Sequence, residues 1–92
     1  MHKYENLEFH ETCPCCPESY VVTNSSGWTV GRVRLRWGDL TVEHIPSNKL
    51  VYSAQIGNEF TGYFESDEQR AKHLRLAAYA LRQVIDKSKE TT

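Results

Sequence analysis

The sequence predicts an α+β fold: an antiparallel meander of four to five strands with one long C-terminal helix packed on one face. Three observations predict it. Residues 66–88 open on a helix cap and then place Ala71, Leu74, Ala78, Leu81 and Ile85 at three- and four-residue steps, which makes one apolar stripe. Residues 28–37 alternate Val33, Leu35 and Trp37 with Arg32, Arg34 and Arg36, the period-two pattern of a strand with one buried and one wet face. The remaining runs are short, β-favouring and separated by turn residues. A helix with a single stripe needs a layer to lie on, and these strands supply it. At 92 residues the chain is expected to form one domain. Residues 1–17 make a loosely ordered segment, 18–65 the strands and 66–88 the helix.

Tyr4, Leu7 and Phe9 suit a short strand near the start, although a single helical turn fits them as well. Cys13-Pro14-Cys15-Cys16-Pro17 follows, and its prolines exclude regular structure. Tyr20, Val21 and Val22 form a β-favouring run, and Asn24-Ser25-Ser26-Gly27 a turn. Trp28 and Val30 fall on the wrong parity for the core; a bulge near Gly31 would bring both onto it. Gly38-Asp39 reads as a two-residue hairpin loop of type II′. That loop pairs Trp37 with Leu40, Leu35 with Val42 and Val33 with His44, and on the wet face Arg34 with Glu43 and Arg36 with Thr41. Pro46-Ser47-Asn48 turns the chain. Lys49 to Ile56 returns with Leu50, Tyr52, Ala54 and Ile56 inward. After Gly57-Asn58-Glu59, residues 60–65 form another strand with Phe60 and Phe64 inward and Gly62 admitting the helix. Ser66 and Gln69 make a capping box. Asp67 and Glu68 at the helix start and Lys87 and Lys89 at its end suit the helix dipole.

Composition bounds the function. Hydrophobic residues are 39% and charged residues 25%, ordinary values for a globular protein. The formal net charge of -1 provides no global field for nucleic acid. The charge is uneven: Glu5, Glu8, Glu11 and Glu18 make the first segment acidic, and Arg32, Arg34 and Arg36 make the middle basic. No apolar run is long enough to span a bilayer, and no secretory leader is recognisable, so a cytoplasmic protein without a membrane partner is expected.

Three readings of the cysteine cluster stand side by side. Cys13 and Cys16 with His10 and His2 would offer zinc four ligands of the right kind, though without a familiar spacing. A Cys13–Cys16 redox pair would need a helix start to lower the thiol pKa, and no helix follows. The third is a proline-rigid loop with incidental thiols. A Cys–His nucleophile is not apparent: His44 has inward parity and reads as a core or rim histidine, and His73 reads as solvated. No Gly-rich phosphate loop and no carboxylate pair are present. The sequence therefore points to a non-enzymatic protein with no cofactor and no small-molecule substrate.

The open side of the sheet is the remaining feature. Opposite the helix it is expected to present Arg32, Arg34, Arg36, Thr41, Glu43, Lys49, Val51, Ser53, Gln55, Thr61 and Tyr63. Arg32, Arg34, Arg36, Lys49 and Tyr63 are the candidate partner-binding residues, because Arg and Tyr anchor interfaces and a row of Arg suits RNA or an acidic protein. Arg70, Lys72, Arg75 and Arg82 form a second basic stripe, read as a solvated helix face.

As a whole, this small chain of near-neutral charge, with an antiparallel sheet, one helix, a charged open face and no catalytic signature, resembles the anti-CRISPR inhibitors of type I-F systems, which are encoded by phages. The resemblance implies a non-enzymatic inhibitor in the host cytoplasm. It would bind the multi-subunit, RNA-guided surveillance complex, with contact to guide RNA, and block target DNA recognition. The acidic first segment could occupy a lysine path meant for DNA. The alternative is a small zinc-stabilised domain that binds nucleic acid directly.

Overall fold

The structure, a computed structural model, describes residues 2–13, 18–45, 47–58 and 64–90. Six strands appear in chain order: β1 (His2–Tyr4), β2 (Leu7–Cys13), β3 (Glu18–Thr23), β4 (Thr29–Arg36), β5 (Asp39–His44) and β6 (Lys49–Gln55), followed by α1 (Asp67–Glu90). They form one antiparallel sheet in the order β1-β2-β3-β4-β5-β6. The α+β meander is as expected, but it has six strands rather than four to five. The extra ones come from the segment expected to be loose. Glu5 and Asn6, both at positive φ (52° and 61°), turn the chain tightly between β1 and β2. Leu7 and Phe9 are then fully buried. The proline–cysteine stretch and the strand expected at 60–65 lie outside the described residues, apart from Cys13 at the end of β2 and Phe64 and Glu65 beyond the expected strand's middle.

Alternation does most of the work in β3, whose residues alternate buried and half-buried along its length. The buried face carries Tyr20 and Val22, continued by Val33 and Leu35 on β4 and Leu40 and Val42 on β5. α1 covers that face with Leu74, Ala77, Ala78 and Leu81, all fully buried. Its start is capped as the sequence indicates. The Gln69 amide N–H donates to Ser66 Oγ at 3.0 Å, and Gln69 Oε1 accepts from the Glu65 N–H at 2.8 Å, one residue before the usual partner.

The β4–β5 hairpin differs from expectation by two residues. Leu35 faces Leu40, Val33 faces Val42 and Gly31 faces His44; across the other face Arg36 meets Asp39, Arg34 meets Thr41 and Arg32 meets Glu43. The loop is Trp37-Gly38, with φ of 56° and 77°, a type I′ rather than a type II′ turn. A slip of two residues preserves the side-chain faces, so the core set survives. Trp37 does not: it sits in the turn, 70% exposed.

Bulges decide three other positions. In β4 an extra residue, Val30, is inserted where Val22 faces Gly31 and Thr23 faces Thr29. The bulge near Gly31 buries Val30 as expected but leaves Trp28 72% exposed. In β6 Val51 is the extra residue, between Tyr52 opposite Val42 and Leu50 opposite Glu43. It moves Leu50 to the open face at 58% exposure, turns Val51 toward the core and carries Lys49 to the helix side opposite His44. In β2 Thr12 is extra, and its hydroxyl bonds Ser19 Oγ at 2.6 Å.

Candidate functional site

The face of the sheet turned away from α1 is centred on β4. Arg32 and Arg36 are exposed and Arg34 half-buried, in a single row along one strand. Residues two apart on a strand are spaced by roughly 6.6 Å. On the β3 side their neighbours are Val21 opposite Arg32 and Ser19 opposite Arg34. On the β5 side they are Glu43, Thr41 and Asp39. None of the three guanidinium groups makes an ion pair with a described residue. Both tryptophans of the chain flank this row, Trp28 just before β4 and Trp37 just after it. His10, on the same side in β2, is held by Thr23 Oγ1 at 3.0 Å and lies 3.5 Å from Glu8.

The structure brings Arg32, Arg34 and Arg36 together and sets Lys49 apart from them. Lys49 lies in a groove of about 680 Å³ on the helix side, lined also by Val51, Ala80, Val84 and Asp86. The bulge at Val51 causes this, since it reverses the parity of the residues before it. Tyr63 lies outside the described residues. The two tryptophans were read as core residues in the sequence. An aromatic residue beside the turn-forming Gly27 or Gly38 was the available sign that they sit at strand ends.

Beneath the opposite face is a buried polar centre that the sequence did not reveal. The Glu18 carboxylate, 3% exposed, accepts from Arg70 twice, Nε–H at 2.6 Å and Nη2–H at 3.2 Å, from the Phe64 N–H at 3.1 Å, and from the Tyr20 hydroxyl. Arg70 also reaches Asp67 at 2.5 Å. Burial pushes the Glu18 carboxyl up, but the hydrogen bonds from Arg70, Tyr20 and Phe64, with the Arg70 charge, more than offset it and leave it below the usual carboxylate range. Burial and the neighbouring carboxylate push the Tyr20 hydroxyl far up. The expected basic stripe on the helix is thus only partly solvated. Arg70 is tied to the sheet, Arg75 lies 5.9 Å from the centre of the Tyr4 ring, and Arg82 donates to the Glu5 carbonyl at 2.8 Å.

The histidines also serve the fold. His44 is buried as its parity suggested, bonded to Ser47 Oγ at 2.7 Å; burial and nearby Lys49 push its pKa down. His73, expected to be solvated, shares a 3.3 Å hydrogen bond with the Tyr52 hydroxyl and stacks on Phe64, and burial with nearby Lys72 lowers its pKa. His2 and His10, two of the four residues of the zinc reading, lie on opposite sides of the sheet. His2 pairs with Phe9 and packs on Tyr20 on the core side, while His10, the next residue after Phe9, points to the open side. Among the described residues no group of three metal-ligating side chains converges, and no helix is long and apolar enough to cross a membrane.

The fold and face define a six-stranded antiparallel sheet with a helix on one side and an arginine row on the other. Comparison with known protein families, curated proteins and solved structures finds no match for this chain.

Proposed function

We propose that this protein is a non-enzymatic inhibitor that docks the open face of its sheet on a host multi-subunit, RNA-guided surveillance complex and blocks target DNA recognition. The observation that supports the reading is the row Arg32, Arg34 and Arg36, collected on the face without a helix and making no ion pair among the described residues. Three guanidinium groups free to form bidentate bonds suit a phosphate or carboxylate surface, which such a complex offers along its guide strand. The inward polar groups support a binding role over catalysis, because Glu18 and His73 join the sheet to the helix and His44 is engaged by the turn after β5.

The test uses the purified surveillance complex and a gel-shift measure of its binding to target duplex. The wild-type protein is expected to co-elute with the complex and suppress target binding. Replacing Arg32, Arg34 and Arg36 together by Ala should weaken association at least about tenfold, with far-UV circular dichroism unchanged. Equal inhibition by the triple variant, or no association by the wild type, overturns the reading.

A further inference from the structure

The arginine row is one strand wide, and carboxylates stand directly beside it. Across the β4–β5 pair Asp39 lies opposite Arg36 and Glu43 opposite Arg32, with Thr41 opposite Arg34 between them. Neighbouring strands are about 4.8 Å apart, so a basic row and an acidic row run side by side on one face. Among the described residues neither carboxylate makes an ion pair, and neither does any of the three guanidinium groups. An exposed pair gains little in water, so the opposite charges stay apart in the free chain and remain open to a partner. On the other flank Ser19 and Val21 of β3 carry no charge, and beyond them Glu8 of β2 adds a further carboxylate.

The acidic row borders a groove. Asp39, Thr41, Ser53, Ala54 and Gln55 line a space of about 460 Å³ between β5 and β6. Ser53 faces Thr41 and Gln55 faces Asp39 across that pair. A carboxylate, two hydroxyls and an amide carbonyl are acceptors for a cationic head group. Further along the same pair Leu50 lies opposite Glu43, 58% exposed. An exposed Leu gains free energy when apolar side chains cover it, and a phosphate backbone has none to offer.

A polyanion suits this arrangement poorly, because it would lie on the guanidinium row with two carboxylates one strand's width away. A protein surface carries both signs and brings apolar side chains to Leu50. We infer that the open face binds a folded protein surface, which presents carboxylates to Arg32, Arg34 and Arg36 and, beside them, a Lys or Arg to the groove at Asp39. The inference rests on the docking role proposed above and names which anion the arginines meet there. Rows of opposite sign also set the register of docking, since a shift of one strand's width brings like charges together.

The double variant Asp39→Asn, Glu43→Gln separates the two kinds of ligand by the sign of its effect. With the purified surveillance complex as probe, it should weaken association at least about fivefold, because the partner's cation loses its counter-charge. Were phosphates the ligand, removing two neighbouring carboxylates would strengthen association instead. Glu43→Gln alone, away from the hairpin turn, should show the same sign. Both variants should keep the wild-type far-UV circular dichroism, since Asp39 is exposed and Glu43 half-buried. Unstructured RNA and DNA oligomers of about twelve nucleotides should not bind the wild type at roughly 0.15 M salt. Sedimentation of the wild type alone should show a monomer. Unchanged or tighter association of the double variant overturns the inference, and so does oligomer binding that the triple arginine variant loses. Self-association that the double variant abolishes gives the face to a second copy and overturns it equally. If the triple arginine variant loses the complex while the double variant keeps it, this inference fails and the docking role stands. If the wild type does not associate with the complex, the docking role fails and the inference falls with it.

Discussion

Glu18 brings a carboxylate into an otherwise apolar layer, and only the completeness of its partners makes that tolerable. Arg70, Tyr20 and the Phe64 N–H together satisfy both oxygens. Removing one member of such a centre leaves the others desolvated and unpaired, so Glu18→Ala is expected to cost about 3 kcal/mol in urea unfolding, a large share of the stability of a small domain. Arg70→Ala added to Glu18→Ala should cost little more, because the two share one interaction. The pH dependence follows from the sign of the shift. The folded carboxyl titrates below its ordinary value of 4.5, so its contribution is complete above that pH and is lost as pH falls through the lower folded value. Glu18→Gln should remove that part of the acid slope; an identical slope in variant and wild type would show that other groups control acid unfolding. None of this was legible in the sequence. Glu18 looked like one more acid in an acidic segment and Arg70 like a solvated cation, and a pair 52 residues apart leaves no local pattern.

At the scale of elements, legibility follows periodicity. The helix, its cap and its stripe were readable because each depends on residues within a few positions of one another. The faces of β4 and β5 were readable for the same reason, which is why the arginine row was found. The register was not, because Trp37-Gly38 and Gly38-Asp39 are both plausible two-residue loops and a slip of two keeps every face. Bulges were the other blind spot: Val51 reverses Leu50 and Lys49 without any break in the hydrophobic pattern. Gly31 is where a bulge and the helix meet. A Cβ there would lie 2.7 Å from Leu81 Cδ1 and 3.2 Å from the Glu43 carbonyl oxygen. Leu81 is fully buried and has little room to yield. Gly31→Ala should therefore cost about 1–3 kcal/mol by overpacking. Leu81→Ala alone should cost about 2–5 kcal/mol through the cavity it leaves. The double variant should cost clearly less than the sum, since the new methyl group occupies part of that cavity. Strict additivity in chemical unfolding would mean that Gly31 and Leu81 do not constrain each other.

Over the whole molecule, every strand pairs with its sequence neighbour, and α1 is the element that ties distant parts together. It lies across β4, β5 and β6 and reaches β1 at the far edge. That edge is held from the helix by two cations, Arg75 over Tyr4 and Arg82 on the Glu5 carbonyl, a link across 77 residues. Among the described residues this bracing falls on one side of the sheet, and the charged row lies on the other. Stability in such an arrangement should be graded. β4 and β5 have strands on both sides and the helix above them, whereas β1 has three residues and, among the described strands, a single neighbour. Amide exchange should then be slowest in β4 and β5 and fastest in β1. Arg82→Ala removes one charge-assisted bond at a partly exposed site, worth about 1 kcal/mol, and should speed exchange in β1 roughly fivefold while β4 and β5 keep their protection. Equal acceleration in every strand would instead make the β1 edge part of one cooperative unit with the centre. The arginine face would then be braced through all six strands rather than through β4 and β5.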